Sequence, residues 1–319
     1  MSLALSNLAR VGAIVGGCNA VGYGLTAAFE THKLTDLVGA GSFVAATLAM
    51  SYKNGLLNLK AGGVMHPKLL LVNVGVILWG SRLASFLFSR VLKVGEDKRL
   101  QKFFRKPGEA YLDIKASFFP VRLATFWTIQ AAWAFICLLP VTLYNSVPLM
   151  LSNGGPNPQF LLKSAHGPVA TLLTVLPVAG IFLGVGIEAL ADWQKNTFRE
   201  NKKNDGHWCD VGLWRMSRYP NYFGELLTWW SVYFSCLPAL LSATAGASGA
   251  AGTMFTAAPA VALLSPVFIT FLLFKLSGIP LLEKKHSAEY KGNKQYEEYV
   301  RITPLLIPNP FVASVKKSS

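Results

Sequence analysis

Charge is what this sequence has least of. Only 14% of its 319 residues are Asp, Glu, Lys or Arg, against about 25% in soluble domains, and residues 239–274 contain none at all. A bilayer core is crossed by ~20 apolar residues. Runs of that kind exclude an ordinary soluble domain and predict an all-α, polytopic membrane protein. Cysteine is scarce as well. Cys18, Cys137, Cys209 and Cys236 show no C-x-x-C spacing, which argues against a zinc site or a disulfide framework and leaves reduced packing residues. Five scattered histidines form no H-E-x-x-H, and there is no G-x-x-x-x-G-K-[ST] or G-x-S-x-G. Metal-hydrolase, P-loop and nucleophile-elbow chemistry are therefore not expected. The N-terminal MSLALSNLAR has no basic region ahead of its apolar stretch, so it reads as the lead-in to a first span and not as a cleaved signal.

The basic charge that is present, a net +14, lies in short loops between apolar runs. That placement suits cytoplasmic retention and anionic headgroups, not nucleic acid. Seven runs are apolar on every side, as membrane helices are: near 8–29, 35–52, 67–92, 117–145, 165–190, 222–244 and 254–282. They predict about seven transmembrane helices with cytoplasmic helical extensions, forming a single membrane domain over 1–319. The connections alternate in character. Residues 90–115 hold eight Lys/Arg against four acids, 188–225 hold six of each sign, and the tail from 275 holds eight against four. The stretches 139–162 and 241–253 carry no charge. The bias puts the charged connections and the C-terminus on the cytoplasmic side, although Lys53, Lys60 and Lys68 run against it.

Polar chemistry gathers in three places. In GIEALADWQKNTFRENKKNDG, residues Glu188, Asp192, Asn196 and Arg199 share one helical face. A solvated helix end laced with i,i+4 pairs would look similar, yet a carboxylate at Glu188 is costly in an apolar helix unless it faces a polar cavity. In GLWRMSRYPNYFGELLTWW, Pro220 opens a helix. Asn221 stands at its positive end, where anions bind, with Arg215 and Arg218 nearby and Glu225 a turn further in. An interfacial belt of Trp214, Tyr219 and Tyr222 would account for the rings and arginines, but not for Asn221 and Glu225. In SGIPLLEKKHSAEYKGNKQYEEYVRITPLLIP, residues Glu283, His286 and Tyr290 fall on one face, with Tyr296, Tyr299 and Arg301 beyond. The bland alternative there is an amphipathic helix lying on headgroups. Asp36, Asn73, Arg82 and Asn19 are the polar residues of the earlier spans. A mid-helix arginine such as Arg82 marks a polar pathway.

Taken together, ADWQKNTFR, GLWRMSRYPNYFGE and SGIPLLEKKH with its Tyr-rich tail resemble the C-terminal domain of the steroid 5-alpha-reductase family. The likeness is to an uncharacterised branch in which a third-helix arginine precedes a GED-like turn, here WGSRLASFLFSRVLKVGED. It covers about residues 30–310. The resemblance implies NADPH held, about residues 165–310, by Asp192, Asn196, Arg199, Arg218, Asn221, Tyr222, Glu225, His286 and Tyr290. It places Trp79 where the reductases have a tyrosine facing the substrate, next to Arg82 on the substrate side, and makes Asp36 the catalytic acid. Tryptophan has no acidic proton to give an enolate.

The implied activity is NADPH-dependent reduction of a carbon–carbon double bond in a steroid-, isoprenoid- or lipid-like substrate, an oxidoreductase of lipid metabolism. The R-x-P-x-Y pattern and the tail also resemble the isoprenylcysteine and phospholipid methyltransferases, which would put S-adenosylmethionine in the same corner. A third expectation is a non-catalytic membrane subunit of a larger complex that kept the fold. The expected location is the endoplasmic reticulum or another organelle membrane.

Overall fold

A computed structural model describes residues 3–53, 67–94, 100–106, 108–147, 168–245 and 256–312. Among these residues there is no strand. The helices are α1 (Leu3–Phe29), α2 (Thr35–Lys53), α3 (Pro67–Val94), α4 (Val121–Cys137), α5 (Leu139–Tyr144), α6 (Pro168–Glu200), the single turn α7 (Leu213–Met216), α8 (Pro220–Ala245), α9 (Ala258–Phe271), α10 (Ile279–Glu289) and α11 (Lys294–Ile302). The GED turn at 95–97, most of the uncharged 139–162 stretch, and the turn of small residues from 246 lie outside the described residues.

All seven expected apolar runs are helical over most of their described residues. Five are long and apolar enough to cross a membrane: Ala4–Phe29, Pro67–Lys93, Thr174–Glu200, Pro220–Ala243 and Ala258–Glu289. Val121–Cys137 is a shorter apolar helix. Helix α2 has the length, at 19 residues, but carries Asp36, Lys53 and several Gly, Ser and Thr. The fourth run, expected over 117–145, is split at Leu138. Pro140 stands in the first turn of α5, has no N–H to continue the ladder, and so breaks the helix behind it. The Cys137 carbonyl at the break accepts the Ser265 hydroxyl at 2.8 Å. The seventh run ends in a π-turn over Leu272–Leu276, in which Ser277 N–H donates to Leu272 O at 2.9 Å. Turns of this type interrupt helices beside functional sites.

The chain forms two compact units. One comprises residues 1–171 with 235–265, the other 172–234 with 266–319. In the first unit the aromatic core includes Phe43, Trp79 and Trp127. Several of its polar groups pair with one another over long stretches of sequence. Asn73 and Asn145 exchange amide bonds at 3.1 and 2.9 Å, Asn7 donates to Ser146 at 2.9 Å, and Lys53 donates to Asn7 at 2.8 Å. Interhelical hydrogen bonds of this kind hold helices together in lipid, where apolar burial provides no drive.

In the second unit, α6 meets the first half of α8 through small residues. A Cβ placed on Gly184 would sit 2.6 Å from the Gly224 carbonyl, and one on Gly180 would meet the Ser231 hydroxyl. The backbones approach so closely that only glycine fits, as in small-xxx-small packing. This crossing holds the polar end of α6 beside the start of α8.

Candidate functional site

The second unit contains a cavity of about 170 Å³, and four local features build it. The first is the turn ahead of α8. Ser217 is extended and ends the single turn of α7. This exposes N–H groups that an irregular segment over 304–309 takes up. Arg218 and Tyr219 N–H donate to Pro304 and Leu305 carbonyls at 2.9 and 3.2 Å, and Asn309 N–H donates back to Met216 O at 2.9 Å. The Ser217 hydroxyl donates to Leu306 O at 2.8 Å. The motif TPLLIPN therefore serves as a strap that fixes SRYP.

The second feature is the carboxylate of Glu283, on the first turns of α10. Arg218 Nη1 lies 2.9 and 3.1 Å from its two oxygens, and the Tyr219 hydroxyl donates to Oε1 at 2.5 Å. Tyr222 stacks on Tyr219 at 5.7 Å between ring centroids.

The third is an aromatic wall. Asn293 caps α11 by accepting from Gln295 and Tyr296 N–H at 3.0 and 3.1 Å, the usual role of Asn ahead of a helix. That orients Tyr296 and Tyr299 inward against Trp208, with ring centroids at 5.4 and 6.0 Å, and Tyr290 against Tyr296 at 4.7 Å. Tyr299 donates to Trp214 O at 2.7 Å, and Trp214 Nε1 donates to Ala191 O at 2.8 Å, anchoring the wall to α6. Burial pushes the Tyr290 phenol up to about 12 and raises Tyr296 and Tyr299 as well. Tyr219 is raised by burial and by its bond to Glu283. At neutral pH these rings are uncharged donors. Burial likewise raises the Cys209 thiol in the lining, which leaves it a poor nucleophile.

The fourth feature is positive charge. Lys195 Nζ lies over the Trp214 ring at 4.1 Å, and Arg199 follows one turn later on α6, both in the cavity lining. Asp205 and Glu289, the other acids of the lining, are exposed.

Of the residues expected to hold the cofactor, Arg199, Arg218, His286 and Tyr290 line this cavity, together with Trp214, Tyr219, Glu283, Tyr296 and Tyr299 from the same motifs. Asn221 donates to Asp192 at 3.4 Å, and its own Oδ1 is buried without a hydrogen-bond partner. This pair joins α8 to α6, outside the lining. Asn196 donates to Glu200 at 3.0 Å on the exposed side of α6. Glu225 is half-buried on α8, also outside the lining.

Asp36, Trp79 and Arg82 belong to the other unit. Asp36 stands in the first turn of α2. Trp79 is fully buried, packed against Phe43 at 5.0 Å and Trp133 at 6.3 Å. Arg82 is half-buried on α3. Sequence reasoning passed over Lys195 and Trp208. Lys195 lies three residues after Asp192 and four before Arg199, a spacing that could have placed it on the same face. Trp208 in NDGHWCD offers no comparable signal.

The fold and its apolar helices thus define a multi-pass, all-helical membrane protein. Over residues 22–303 the chain matches a family described as a protein of unknown function, DUF1295, and it belongs to that family. No curated protein and no solved structure matches it.

Proposed function

We propose that this protein is a membrane-embedded reductase that uses NADPH to reduce a carbon–carbon double bond in a hydrophobic substrate. One observation carries the reading: cations, His286 and a block of neutral aromatic rings converge on a single cavity formed by α6, the SRYP turn, α10 and α11. Phosphate seeks charge-assisted donors, and an adenine ring seeks aromatic faces. A cavity of about 170 Å³ is smaller than the ~300–1,000 Å³ of most ligand sites. It suits the nucleoside-phosphate end of a dinucleotide and not the whole molecule.

In this reading Arg199 holds phosphate, while His286 and Tyr290 close over the adenine side. Arg218 is already clamped by Glu283, so its part is to fix the turn that carries Asn221. Asn221, fastened to Asp192, and Glu225 orient the ribose or nicotinamide end, with Tyr222 packed beside them. Bound NADPH supplies a hydride, and much of the rate comes from positioning. Asp36 is the proposed acid on the substrate side, and Arg82 belongs to the same unit. Trp79 acts as core, consistent with an indole N–H being too weakly acidic to protonate an enolate. The bilayer is the surrounding medium, and we place the C-terminus on the cytoplasmic side of an organelle membrane such as the endoplasmic reticulum.

The test is native mass spectrometry of the full chain purified in mild detergent. Retained NADPH or NADP⁺ supports the reductase. Retained S-adenosylhomocysteine would replace it with a methyltransferase, and lipid alone would favour a non-catalytic subunit.

A further inference from the structure

Among the described residues of the lining, Lys195 is a half-buried cation without an ion pair. Arg218 is paired with Glu283, and the exposed Asp205 and Glu289 of the lining make no ion pair with Lys195. The ammonium of Lys195 is instead held on the Trp214 face at 4.1 Å. Among the described residues it has neither an ion pair nor a hydrogen bond of its own. Trp214 is in turn immobilised through Nε1 to Ala191 O and through its carbonyl to the Tyr299 hydroxyl. The ammonium is therefore held at a fixed place.

An ammonium has three donors, and a ring face offsets its desolvation only in part. A half-buried charge that the fold does not neutralise is stabilised when a ligand does so. Arg199 lies four residues on, on the same helix face, at the exposed rim of the cavity lining and likewise without an ion pair among the described residues. Two uncompensated cations a helical turn apart fit a dianion.

We infer that Lys195, seated on Trp214 and working with Arg199, is the residue that binds a phosphate group inside this cavity. Arg218, the arginine nearest the helix start, does not fill that role because Glu283 occupies it. The inference rests on the nucleotide reading only for what carries the phosphate; a phosphate monoester from a lipid headgroup offers the same chemistry.

The experiment is calorimetric titration of the full-length protein in zwitterionic nanodiscs with NADPH, inorganic pyrophosphate and glycerol 3-phosphate. It compares wild type with Lys195→Met, Lys195→Gln and Lys195→Arg, and checks each variant by thermal unfolding. Removing one charge-assisted contact weakens binding roughly tenfold to a hundredfold. Lys195→Met and Lys195→Gln are expected to show that loss with melting unchanged, and Lys195→Arg to restore most of the affinity. If wild type binds NADPH and both neutral variants bind it equally well, this inference is wrong and the reductase reading survives. If glycerol 3-phosphate or pyrophosphate binds in a Lys195-dependent way and NADPH does not, the inference holds and the reductase reading falls. If none of the three probes binds wild type, both are overturned.

Discussion

Tyr219 and Glu283 are joined by a 2.5 Å hydrogen bond from phenol to carboxylate, across 64 residues of sequence. Arg218 completes the same knot from the neighbouring position, so one carboxylate ties the turn before α8 to α10. Hydrogen bonds to a charged group contribute about 1.5–3 kcal/mol when buried, and Glu283 is one-third exposed, which brings the expectation toward the low end. Tyr219→Phe should therefore cost roughly 1–2 kcal/mol and lower the melting temperature in detergent. Glu283→Ala should cost more, because it releases Tyr219 and Arg218 together. An unchanged melting temperature in Glu283→Ala would show that the knot contributes nothing.

The glycine crossing makes a sharper contrast. Gly184→Ala puts a methyl 2.6 Å from the Gly224 carbonyl, whereas Gly186 has nothing within 4 Å of a new Cβ. Overpacking costs about 1–3 kcal/mol. Thermal unfolding of the two alanine variants should show a clear loss for Gly184→Ala and near-wild-type behaviour for Gly186→Ala.

The tyrosines predict an alkaline limit. Tyr290 is raised to about 12, and Tyr219, Tyr296 and Tyr299 are raised too, against a free phenol near 10. The unfolded chain therefore loses these protons first. Stability from the neutral phenols is whole below pH 10 and is lost as pH rises toward 12. Absorbance at the tyrosinate band should show these rings ionising late, and melting temperature should fall across that window. Ionisation of every tyrosine near pH 10 in the folded protein would contradict the aromatic wall.

Asn221 supplies a prediction separate from stability. Its amide reaches Asp192, and its carbonyl oxygen is buried without a partner. Asn221→Ala should abolish NADPH binding in titration while far-UV circular dichroism stays helical. Normal binding by the variant would remove Asn221 from the cofactor site.

The helices could be read from the sequence because lipid asks for apolarity on every side, and 239–274 satisfies that plainly. The break at Leu138 was implicit in Pro140. Arg199, His286 and Tyr290 were found because helical spacing puts chemistry on one face, and the same rule applied one step further would have included Lys195. A lysine at a helix end reads as one more snorkelling cation until its carboxylate is looked for and missed. Trp208 and the Arg218–Glu283 pair were out of reach. Each depends on tertiary contacts between stretches that carry no local mark of one another.

The most direct test of the central claim is titration of NADPH into the wild-type protein, reconstituted at full length. The account predicts saturable binding of one nucleotide per chain, weakened by pyrophosphate as competitor and by Lys195→Met. A flat titration in a folded preparation, with neither heat nor tryptophan fluorescence changing, would contradict it.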